Sequence, residues 1–413
     1  MSQEPQRILV VAPHPDDEAL GAGGIMAKAH DLGHEVSVVL LTCGDGFVQD
    51  AARYYLSLEV TADEYLHMGY ERQMETQRAL AEVGVSKERI YFLGFPDGGL
   101  DSLWVTHWSG EPWRSTTTAK SAVPYLTAYR PEVPYLGAEL VSLLMGIYAA
   151  VRPTQLILPS AFDTHPDHWA TNAFGTLAWA EMAYRDPAFR LVPRWGYLVH
   201  WPAWPLPLAY RPTMPQEAPE RLVNLGQEPW HAESLSPEQV EQKRLALMQY
   251  ESQVELIKPY MLAFSRRTEM FGVESEWRGQ KGTGALEVTN PSVDWLSRSV
   301  GKSNPIETVT WGRHGDRDWA RLTVARRWGS DWSLEVSLHP VDGRHRQYHW
   351  LVQGQHPIPA EISVRAEGRN VEMNWPAEWI GTTAWVMAGL QVRVRGRVEG
   401  KIPFRMIPWG DLM

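Results

Sequence analysis

The chain has 413 residues, 44% of them hydrophobic and 21% charged, proportions typical of a soluble globular protein with room for two domains. Its formal net charge of −10 argues against a nucleic-acid partner and against an anionic membrane surface. The sequence contains no run of about 18 apolar residues, so no transmembrane segment is predicted. No signal peptide is predicted at the N-terminus. The single cysteine, Cys43, excludes an internal disulfide and a cysteine-built zinc site, and it fits a cytoplasmic location.

The first 200 residues alternate between predicted strands and predicted helices. Apolar runs at 8–12 and 35–41 predict buried strands. Between them, 23–32 predicts a helix that ends at Gly33, because glycine readily adopts the left-handed conformation that ends many helices. Three helix–strand pairs follow: 68–83 with 90–93, 138–152 with 155–159, and 167–183 with 195–200. Such alternation predicts an α/β fold, a Rossmann-like and largely parallel sheet with helices on both faces.

A histidine and three acids follow the first strand, in the stretch His14-Pro15-Asp16-Asp17-Glu18. Acids this close together repel one another unless a positive charge lies among them, and a metal ion is the simplest such charge. Pro15 favours a turn whose flanking residues, His14 and Asp17, come within roughly 7 Å at Cα. The stretch therefore predicts half of a metal site, although Asp and Pro also favour ordinary surface turns.

The stretch 163–168, Asp-Thr-His-Pro-Asp-His, repeats this arrangement after another predicted strand. Together the two stretches offer His14, Asp17 and His168 as three ligands. Three protein ligands with one open position form the usual catalytic zinc site, in which the metal acidifies a bound water. Fe(II), Co(II) or Mn(II) would also suit two imidazoles and one carboxylate, so we expect a metal and leave its identity open.

The remaining polar residues of the two stretches have distinct predicted roles. Asp16 could accept the proton of the attacking water and return it to the leaving group, as a general base and then acid. His165 could stabilise a developing oxyanion. Asp167 is expected to cap the following helix or to form the turn, whereas Asp163 could hold a ligand imidazole in its tautomer.

The stretch Gly21-Ala22-Gly23-Gly24 has two interpretations. A dinucleotide-binding loop would need a third glycine where Met26 stands, and it would follow the strand directly. Here three acids intervene, and they would repel a pyrophosphate. We therefore expect glycines that permit close packing of a helix beside the metal turn.

Two later segments carry less specific signals. The stretch 100–135 is poor in periodicity and rich in aromatic residues, and long loops of this kind are commonly functional. Its tryptophans could face a substrate, but anchoring the loop by ordinary burial is the favoured interpretation. The stretch 237–257 predicts one amphipathic helix, with Ser236 as its cap and Pro237 at its first position.

The two His-Pro-Asp stretches resemble the paired signatures of the LmbE-like (PIG-L) deacetylases. These are metal-dependent enzymes that remove N-acetyl groups, typically from N-acetylglucosamine conjugates. Further similar segments are 71–75 (Glu-Arg-Gln-Met-Glu), 93–98 (Leu-Gly-Phe-Pro-Asp-Gly), 243–244 (Lys-Arg) and 250–253 (Tyr-Glu-Ser-Gln). The resemblance spans roughly 7–272 and implies the same ligands, base and oxyanion residue as above. It also implies that Arg72 and Asp97 face the sugar.

After Gly272 the sequence pattern changes. A polar, glycine-containing stretch at 273–292 predicts a linker between a deacetylase-like domain, 1–275, and a second domain, 290–413. Short alternating runs occur at 319–325, 332–338, 348–352, 360–366, 370–375, 384–395 and 403–407. They predict an all-β sandwich of unknown role. Eleven of the 20 tryptophans lie in this region, and we expect them mainly in core packing rather than on an exposed carbohydrate-binding face.

These features favour a zinc-dependent hydrolase that removes an acetyl group from an N-acetylglucosamine-type sugar or sugar conjugate. Its expected partner is therefore a small N-acetylated molecule, and a homo-oligomer is left open. One alternative is an amidase acting on another N-acylated compound, such as an amino acid or a peptide-like molecule. A second alternative is a non-catalytic carbohydrate-binding protein, which would have no use for a base such as Asp16.

Overall fold

The computed structural model describes residues 5–46, 60–225, 228–274, 285–289, 306–325, 327–353, 358–395 and 397–412. The chain divides into two compact units, Met1–Glu274 and Ser275–Met413. Within the described ranges, no helix is both long and apolar enough to cross a bilayer.

The first unit contains a seven-stranded sheet. Its strands are β1 (Arg7–Ala12), β2 (Glu35–Thr42), β3 (Ile90–Phe95), β4 (Gln155–Pro159), β5 (Arg194–Tyr197), β6 (Trp230–Ser234) and β7 (Thr268–Glu274). They lie in the order β3-β2-β1-β4-β5-β7-β6. The pairs from β3 to β5 are parallel, whereas β7 pairs antiparallel with both β5 and β6. The largely parallel sheet is confirmed, with two further strands, joined by antiparallel pairing, at one edge that the sequence did not indicate.

Strand β1 lies between β2 and β4, so the chain leaves it toward one side of the sheet and later returns on the other. In open α/β sheets, ligands bind outside the carboxyl ends of the strands at such a switch point. The two His-Pro-Asp stretches follow β1 and β4, which are neighbours in register, with Val10 opposite Ile157. The topology therefore brings both stretches to one place.

The helices of this unit cover the sheet. They are α1 (Asp17–Asp31), α2 (Ala62–Glu82), α3 (Leu100–Val105), α4 (Gly137–Val151), α5 (Pro166–Arg185), α6 (Glu220–Leu225), α7 (Pro237–Met248) and α8 (Glu251–Leu262). Short 3₁₀ helices occur at Lys87–Arg89 and Pro187–Leu191. Thr61 and Ser236 form capping boxes at the starts of α2 and α7, as the Ser-Pro sequence predicted for the latter.

The prediction of a single helix over 237–257 is wrong. The chain leaves helical geometry at Tyr250, whose ψ is 67°, and α8 begins at the next residue. Ile257 inside α8 also departs from helical dihedrals, with φ of −129°, two residues before Pro259. The proline lacks an N–H and crowds the preceding turn, which accounts for the kink.

The glycines of α1 permit close packing, as expected. A Cβ atom on Gly21 would lie 2.2 Å from the ring of Tyr197, and one on Gly24 would lie 2.2 Å from Leu235. Carbon atoms in contact normally lie about 3.5–4.0 Å apart. The glycine run is therefore a packing feature, and the nucleotide interpretation has no support from it.

The aromatic stretch 100–135, which begins with α3, is anchored by burial. Trp104 and Trp108 are 0% and 3% exposed. Trp104 packs edge-on against Phe174 of α5, with 4.9 Å between ring centroids. For these two residues the ordinary anchoring interpretation is the correct one.

The second unit consists of two antiparallel sheets. Its strands are β8 (Ala285–Thr289), β9 (Ile306–His314), β10 (Arg317–Val324), β11 (Trp332–Pro340), β12 (Tyr348–Gln353), β13 (Ser363–Glu367), β14 (Asn370–Pro376), β15 (Val386–Val394) and β16 (Arg397–Ile407). A short helix, α9 (Ala377–Ile380), and a 3₁₀ turn, Trp409–Leu412, complete it. The sheet orders are β13-β14-β10-β9-β8 and β12-β11-β15-β16.

One hydrophobic core joins these two sheets. Val309 and Leu322 of the first sheet share it with Val336 and Leu390 of the second, all 0% exposed. This arrangement is the predicted β-sandwich. Trp311, Trp375 and Trp409 are also 0% exposed, which supports core packing, whereas Trp277 and Trp295 and most of the predicted linker lie outside the described residues.

Candidate active site

The first His-Pro-Asp stretch forms a tight turn between β1 and α1. The carbonyl of Pro13 accepts the N–H and the O–H of Thr42, at 2.9 and 2.8 Å, which ties the turn to β2. Asp16 has φ of 112°, a conformation that costs a non-glycine residue about 1–3 kcal/mol. Its N–H donates to Oε2 of Glu18 at 3.1 Å, which helps to hold it. Backbone strain thus lies at the residue predicted to be the base.

The three predicted metal ligands converge on one carboxylate oxygen. Oδ2 of Asp17 lies 2.9 Å from Nδ1 of His14 and 3.1 Å from Nε2 of His168. In a tetrahedral zinc site with bonds of about 2.0–2.1 Å, neighbouring donor atoms lie about 3.3 Å apart. As whole residues, His14, Asp17 and His168 are 8%, 2% and 0% exposed. The structure therefore brings them together in a buried position.

The donor atoms fit a divalent transition metal. Both ring nitrogens of His168 are buried and make no regular hydrogen bond in the described part of the chain, although they lie 3.1 and 3.2 Å from carboxylate oxygens of Asp17 and Asp163. Three sets of possible ligands have their donor atoms within 4.8 Å of one another: His14 with His165 and His168, Asp17 with His168 and His200, and His14 with Asp97 and Asp167. Imidazole and carboxylate together suit zinc and its neighbours in the first transition row.

Asp163 supports His168 from the other side. Its Oδ2 lies 3.2 Å from Nδ1 of His168. The same oxygen accepts the N–H groups of Val199 and His200, at 3.0 and 2.9 Å. Although burial opposes ionisation, the nearby His168 holds the pKa of Asp163 at about 2. An ionised Asp163 keeps the proton of His168 on Nδ1, which leaves Nε2 free to bind a metal.

Asp167 supports His14 in the same way, and its predicted role as a cap is wrong. Its Oδ2 lies 3.1 Å from Nε2 of His14. Its two oxygens also accept the N–H groups of Gly98 and Leu100, at 2.7 and 3.0 Å. The cap of α5 is instead His165, whose Nδ1 accepts the N–H of Asp167 at 3.3 Å. The carboxylate binds a distant loop, which local sequence does not reveal.

His165 is held as a neutral hydrogen-bond donor. Because Nδ1 accepts a backbone N–H, the ring proton lies on Nε2. Burial lowers the pKa of His165 to about 4, and the nearby His14 and His168 act in the same direction. A neutral imidazole with a protonated Nε2 can donate to an oxygen that becomes negative.

The two adjacent aspartates have pKa values shifted in opposite directions. Burial raises the pKa of Asp16 well above its ordinary value, and repulsion from Asp17 adds to this, while Arg72 opposes it. Asp17 is equally buried, but His168 and His14 hold its pKa well below the ordinary range. An ionised ligand beside a more basic carboxyl is the pattern expected of a metal ligand and a general base.

Arg72 and Asp97, the predicted sugar contacts, both lie at this site. Arg72 is 3% exposed. Its guanidinium donates to the carbonyls of Pro15 and Gly44, at 2.6 and 2.9 Å, and lies 3.5 Å from Asp16. Asp97 accepts the N–H of Gly46 at 2.8 Å, and it is more open to solvent. No substrate contact is tested by these distances, so both roles stay predictions.

Helix α1 is supported from behind by a buried ion pair. Nζ of Lys243 donates to Oε1 of Glu269 and to the carbonyl of Leu20, at 2.6 and 2.7 Å. Glu269 also accepts the N–H groups of Gly24 and Ile25, at 2.7 and 2.8 Å. The family-like segment that begins at Lys243 therefore fixes the helix that starts at the metal turn.

The later part of that segment reaches the turn itself. The O–H of Tyr250 donates to Oε1 of Glu18, the residue next to Asp17. Ser252 donates its N–H and O–H to Glu75 of α2, both at 2.8 Å. The polar residues of the segment thus have structural roles near the site.

One residue at the site, His200, was not identified from the sequence. It lies three residues beyond β5, and its ring centroid is 4.6 Å from that of His168 and 5.1 Å from that of His165. A single histidine after a strand has no spacing signal to mark it. Only the sheet order, which places β5 beside β4, brings it to the second His-Pro-Asp stretch.

A Rossmann-like sheet with a buried imidazole–carboxylate cluster at its switch point defines an α/β domain with a candidate metal centre. Residues 9–179 match the family PIG-L, described as GlcNAc-PI de-N-acetylase. This part of the chain therefore matches the PIG-L (LmbE-like) family, as the two His-Pro-Asp stretches predicted.

Similar sequences occur among curated bacterial proteins. A 1D-myo-inositol 2-acetamido-2-deoxy-alpha-D-glucopyranoside deacetylase of Kribbella flavida is 32% identical over 211 residues, which are 49% of this chain and 64% of that protein. The protein of the same name from Streptomyces avermitilis is 31% identical over 214 residues, 49% of this chain and 63% of that protein. The chain thus spans a little under two thirds of the length of these relatives.

The solved structures found to be similar have lower identity. The A40926 pseudoaglycone deacetylase Dbv21 is 19% identical, with 65% of this chain and 97% of that chain covered and a TM-score of 0.40. The conserved protein TT1542 from Thermus thermophilus is 22% identical, with coverages of 62% and 84% and a TM-score of 0.38.

Proposed function

We propose that the protein is a metal-dependent N-deacetylase that acts on an N-acetylglucosamine-type sugar or sugar conjugate. The observation that carries this proposal is the arrangement around Asp17: two imidazole nitrogens lie 2.9 and 3.1 Å from its Oδ2, and the strained, more basic Asp16 precedes it. The PIG-L match and the curated deacetylase relatives point to the same chemistry. We assign it to the first unit, Met1–Glu274, and leave the β-sandwich of the second unit, Ser275–Met413, without a role.

The metal would be held by His14, Asp17 and His168. When bound there, a divalent ion such as zinc lowers the pKa of a coordinated water and polarises the amide carbonyl. Fe(II), Co(II) and Mn(II) suit the same donors. Asp163 and Asp167 fix the two imidazoles by holding their other nitrogens.

The proton transfers fall to Asp16. Its raised pKa lets this carboxyl accept a proton from the attacking water and then release it to the departing amine, since a catalytic group works best when its pKa lies near the working pH. Its backbone is held by Glu18, and its side chain is constrained by Arg72 at 3.5 Å. Asp16 therefore acts as base and then as acid at a fixed position.

His165 and two further side chains complete the proposal. Nε2–H of His165 donates to the oxygen that becomes negative as the amide is attacked. Asp97, which is partly exposed, is suited to accept a hydrogen bond from a hydroxyl of the sugar. The guanidinium of Arg72 donates to two backbone carbonyls, so we propose that its main role is to position the turn and Asp16. Only the edge of the guanidinium would then contact the substrate.

The test is acetate release from N-acetylglucosamine conjugates and from N-acetyl amino acids, with the wild type, Asp16→Asn and the exposed-residue control Asp63→Asn. We expect release from a sugar compound by the wild type and the control, and loss of roughly 100-fold or more in Asp16→Asn, as is typical for removing a general base. Zinc content of all three proteins should be equal. Release from amino-acid compounds alone would favour the alternative amidase, and no loss in Asp16→Asn would exclude it as the base.

A further inference from the structure

His200 is held firmly beside the second His-Pro-Asp stretch by its backbone. Its N–H donates to Oδ2 of Asp163 at 2.9 Å. Its carbonyl accepts the N–H and the O–H of Thr164, at 3.0 and 2.8 Å. Asp163 in turn lies 3.2 Å from Nδ1 of His168. The position of His200 is therefore coupled directly to that of a predicted metal ligand.

The side chain of His200 faces the metal centre. Its ring lies edge-on to that of His168 at 4.6 Å and 5.1 Å from that of His165, and Tyr260 stacks beyond it at 6.4 Å. A ring nitrogen of His200, Nε2 or Nδ1, lies within 4.8 Å of donor atoms of both Asp17 and His168. These two residues already belong to the ligand set of the proposed function.

The ring of His200 is available for coordination. In the described part of the chain its nitrogens have no hydrogen-bond partner, unlike those of His14, which contact Asp17, Asp97 and Asp167. A partly enclosed imidazole whose nitrogens make no hydrogen bond is normally satisfied by water or by a metal. A metal held by Asp17 and His168 would account for the placement of the ring.

We propose that His200 is a third imidazole ligand of the metal, alongside Asp17 and His168. The inference rests on the metal centre of the proposed function and extends it by one ligand. With His14, Asp17 and His168, His200 would be a fourth protein ligand, and it would raise the affinity for the metal.

The first test compares the zinc affinity of the wild type, His200→Asn and the control His107→Asn by competition with a chelator. His107 contacts the carbonyl of Glu111 at 3.1 Å and belongs to none of the three donor sets. Replacing even a partner that only orients a metal ligand costs about 10–100-fold in affinity. We expect at least a ten-fold loss in His200→Asn, a changed visible spectrum of its Co(II) form, and neither change in His107→Asn.

A second measurement uses the wild-type protein alone, so it does not depend on whether a variant folds. In the proton NMR spectrum of the Co(II)-loaded wild type, each coordinated imidazole gives its own set of paramagnetically shifted ring signals. Three sets would support the inference, and two sets, or unchanged zinc affinity in His200→Asn, would overturn it.

Acetate release is recorded separately from metal binding. Three imidazoles without release from any compound would retain this inference and remove the proposed function. Acetate release by a protein whose metal has only two imidazole ligands would support the proposed function and remove this inference.

Discussion

Replacing Gly21 by alanine should destabilise the protein, although the same change in an ordinary helix stabilises it. Alanine has the higher helix propensity by about 1 kcal/mol. At this position, however, the new Cβ would lie 2.2, 2.5 and 2.8 Å from three ring atoms of Tyr197. Contacting carbons need about 3.5 Å or more, so ring and helix must separate by more than roughly 1 Å.

Tyr197 has little freedom to move. It is 0% exposed, and its O–H donates to the carbonyl of Val11 in β1 at 3.2 Å. Overpacking a core typically costs about 1–3 kcal/mol, and losing the hydrogen bond costs about 1 kcal/mol more. After the gain in helix propensity, we expect Gly21→Ala to lower the free energy of unfolding by about 2 kcal/mol.

Gly146 in α4 provides the matched control. It is exposed, and a Cβ there would meet no atom within 4 Å. Gly146→Ala should therefore raise the free energy of unfolding by roughly 0.5–1 kcal/mol. Urea denaturation of the wild type and both variants measures the two effects, which must have opposite signs. A Gly21→Ala protein as stable as Gly146→Ala would refute the packing argument.

Three further predictions concern buried charges. Burial, with repulsion from a neighbouring carboxylate, raises the pKa of Asp45 to about 7, so its contribution to stability falls as pH rises from about 4 to 7. Asp45→Asn removes this dependence. In urea denaturation, the free energy of unfolding of the variant, relative to that of the wild type, should rise by up to about 4 kcal/mol between pH 4 and pH 8. Parallel pH profiles of the two proteins would contradict this. Lys243→Met leaves Glu269 buried with two backbone N–H groups but without its ion-pair partner, so the free energy of unfolding should fall by about 3–5 kcal/mol, and a loss below about 1 kcal/mol would show that the pair is dispensable. Asp163→Asn should weaken zinc binding about 10–100-fold in chelator competition with an unchanged circular dichroism spectrum, because His168 loses the group that orients it; wild-type affinity would exclude that role.

The parts of the fold that sequence predicted are those with strong local patterns. Strands β1 to β4 are apolar runs buried on both faces, so their composition alone marks them. Strand β6 was missed because Trp230–Ser234 is short and largely polar, and β7 because Thr268–Glu274 carries acids at both ends of its central run. Strand β9, Ile306–His314, alternates only partly between buried and half-buried positions, which weakens the period-two signal.

The candidate site was predictable where its residues are close in sequence. His14, Asp16 and Asp17 share one turn, and a proline fixes their spacing. Asp167 shows the limit of this approach. Its carboxylate accepts the distant N–H groups of Gly98 and Leu100 and does not cap the adjacent helix. The local sequence shows only the adjacent helix N-terminus. The same limit applied to His200.

The charge balance of the site explains why Asp16 rather than a neighbouring aspartate is suited to proton transfer. The other aspartates of the two His-Pro-Asp stretches have strong partners: Asp17 has two imidazoles, and Asp163 and Asp167 have backbone N–H groups. Among the described residues, the side chain of Asp16 has one long contact, 3.5 Å to Arg72.

Strong partners stabilise the ionised form of a buried carboxyl, and their absence raises its pKa. The fold thus gives three aspartates partners that favour their negative charge and leaves one carboxyl, on a strained backbone beside the proposed metal ligands, able to take up a proton. A closer contact between Arg72 and Asp16 should therefore lower the pKa of Asp16. It should then slow the proposed deacetylation without weakening metal binding.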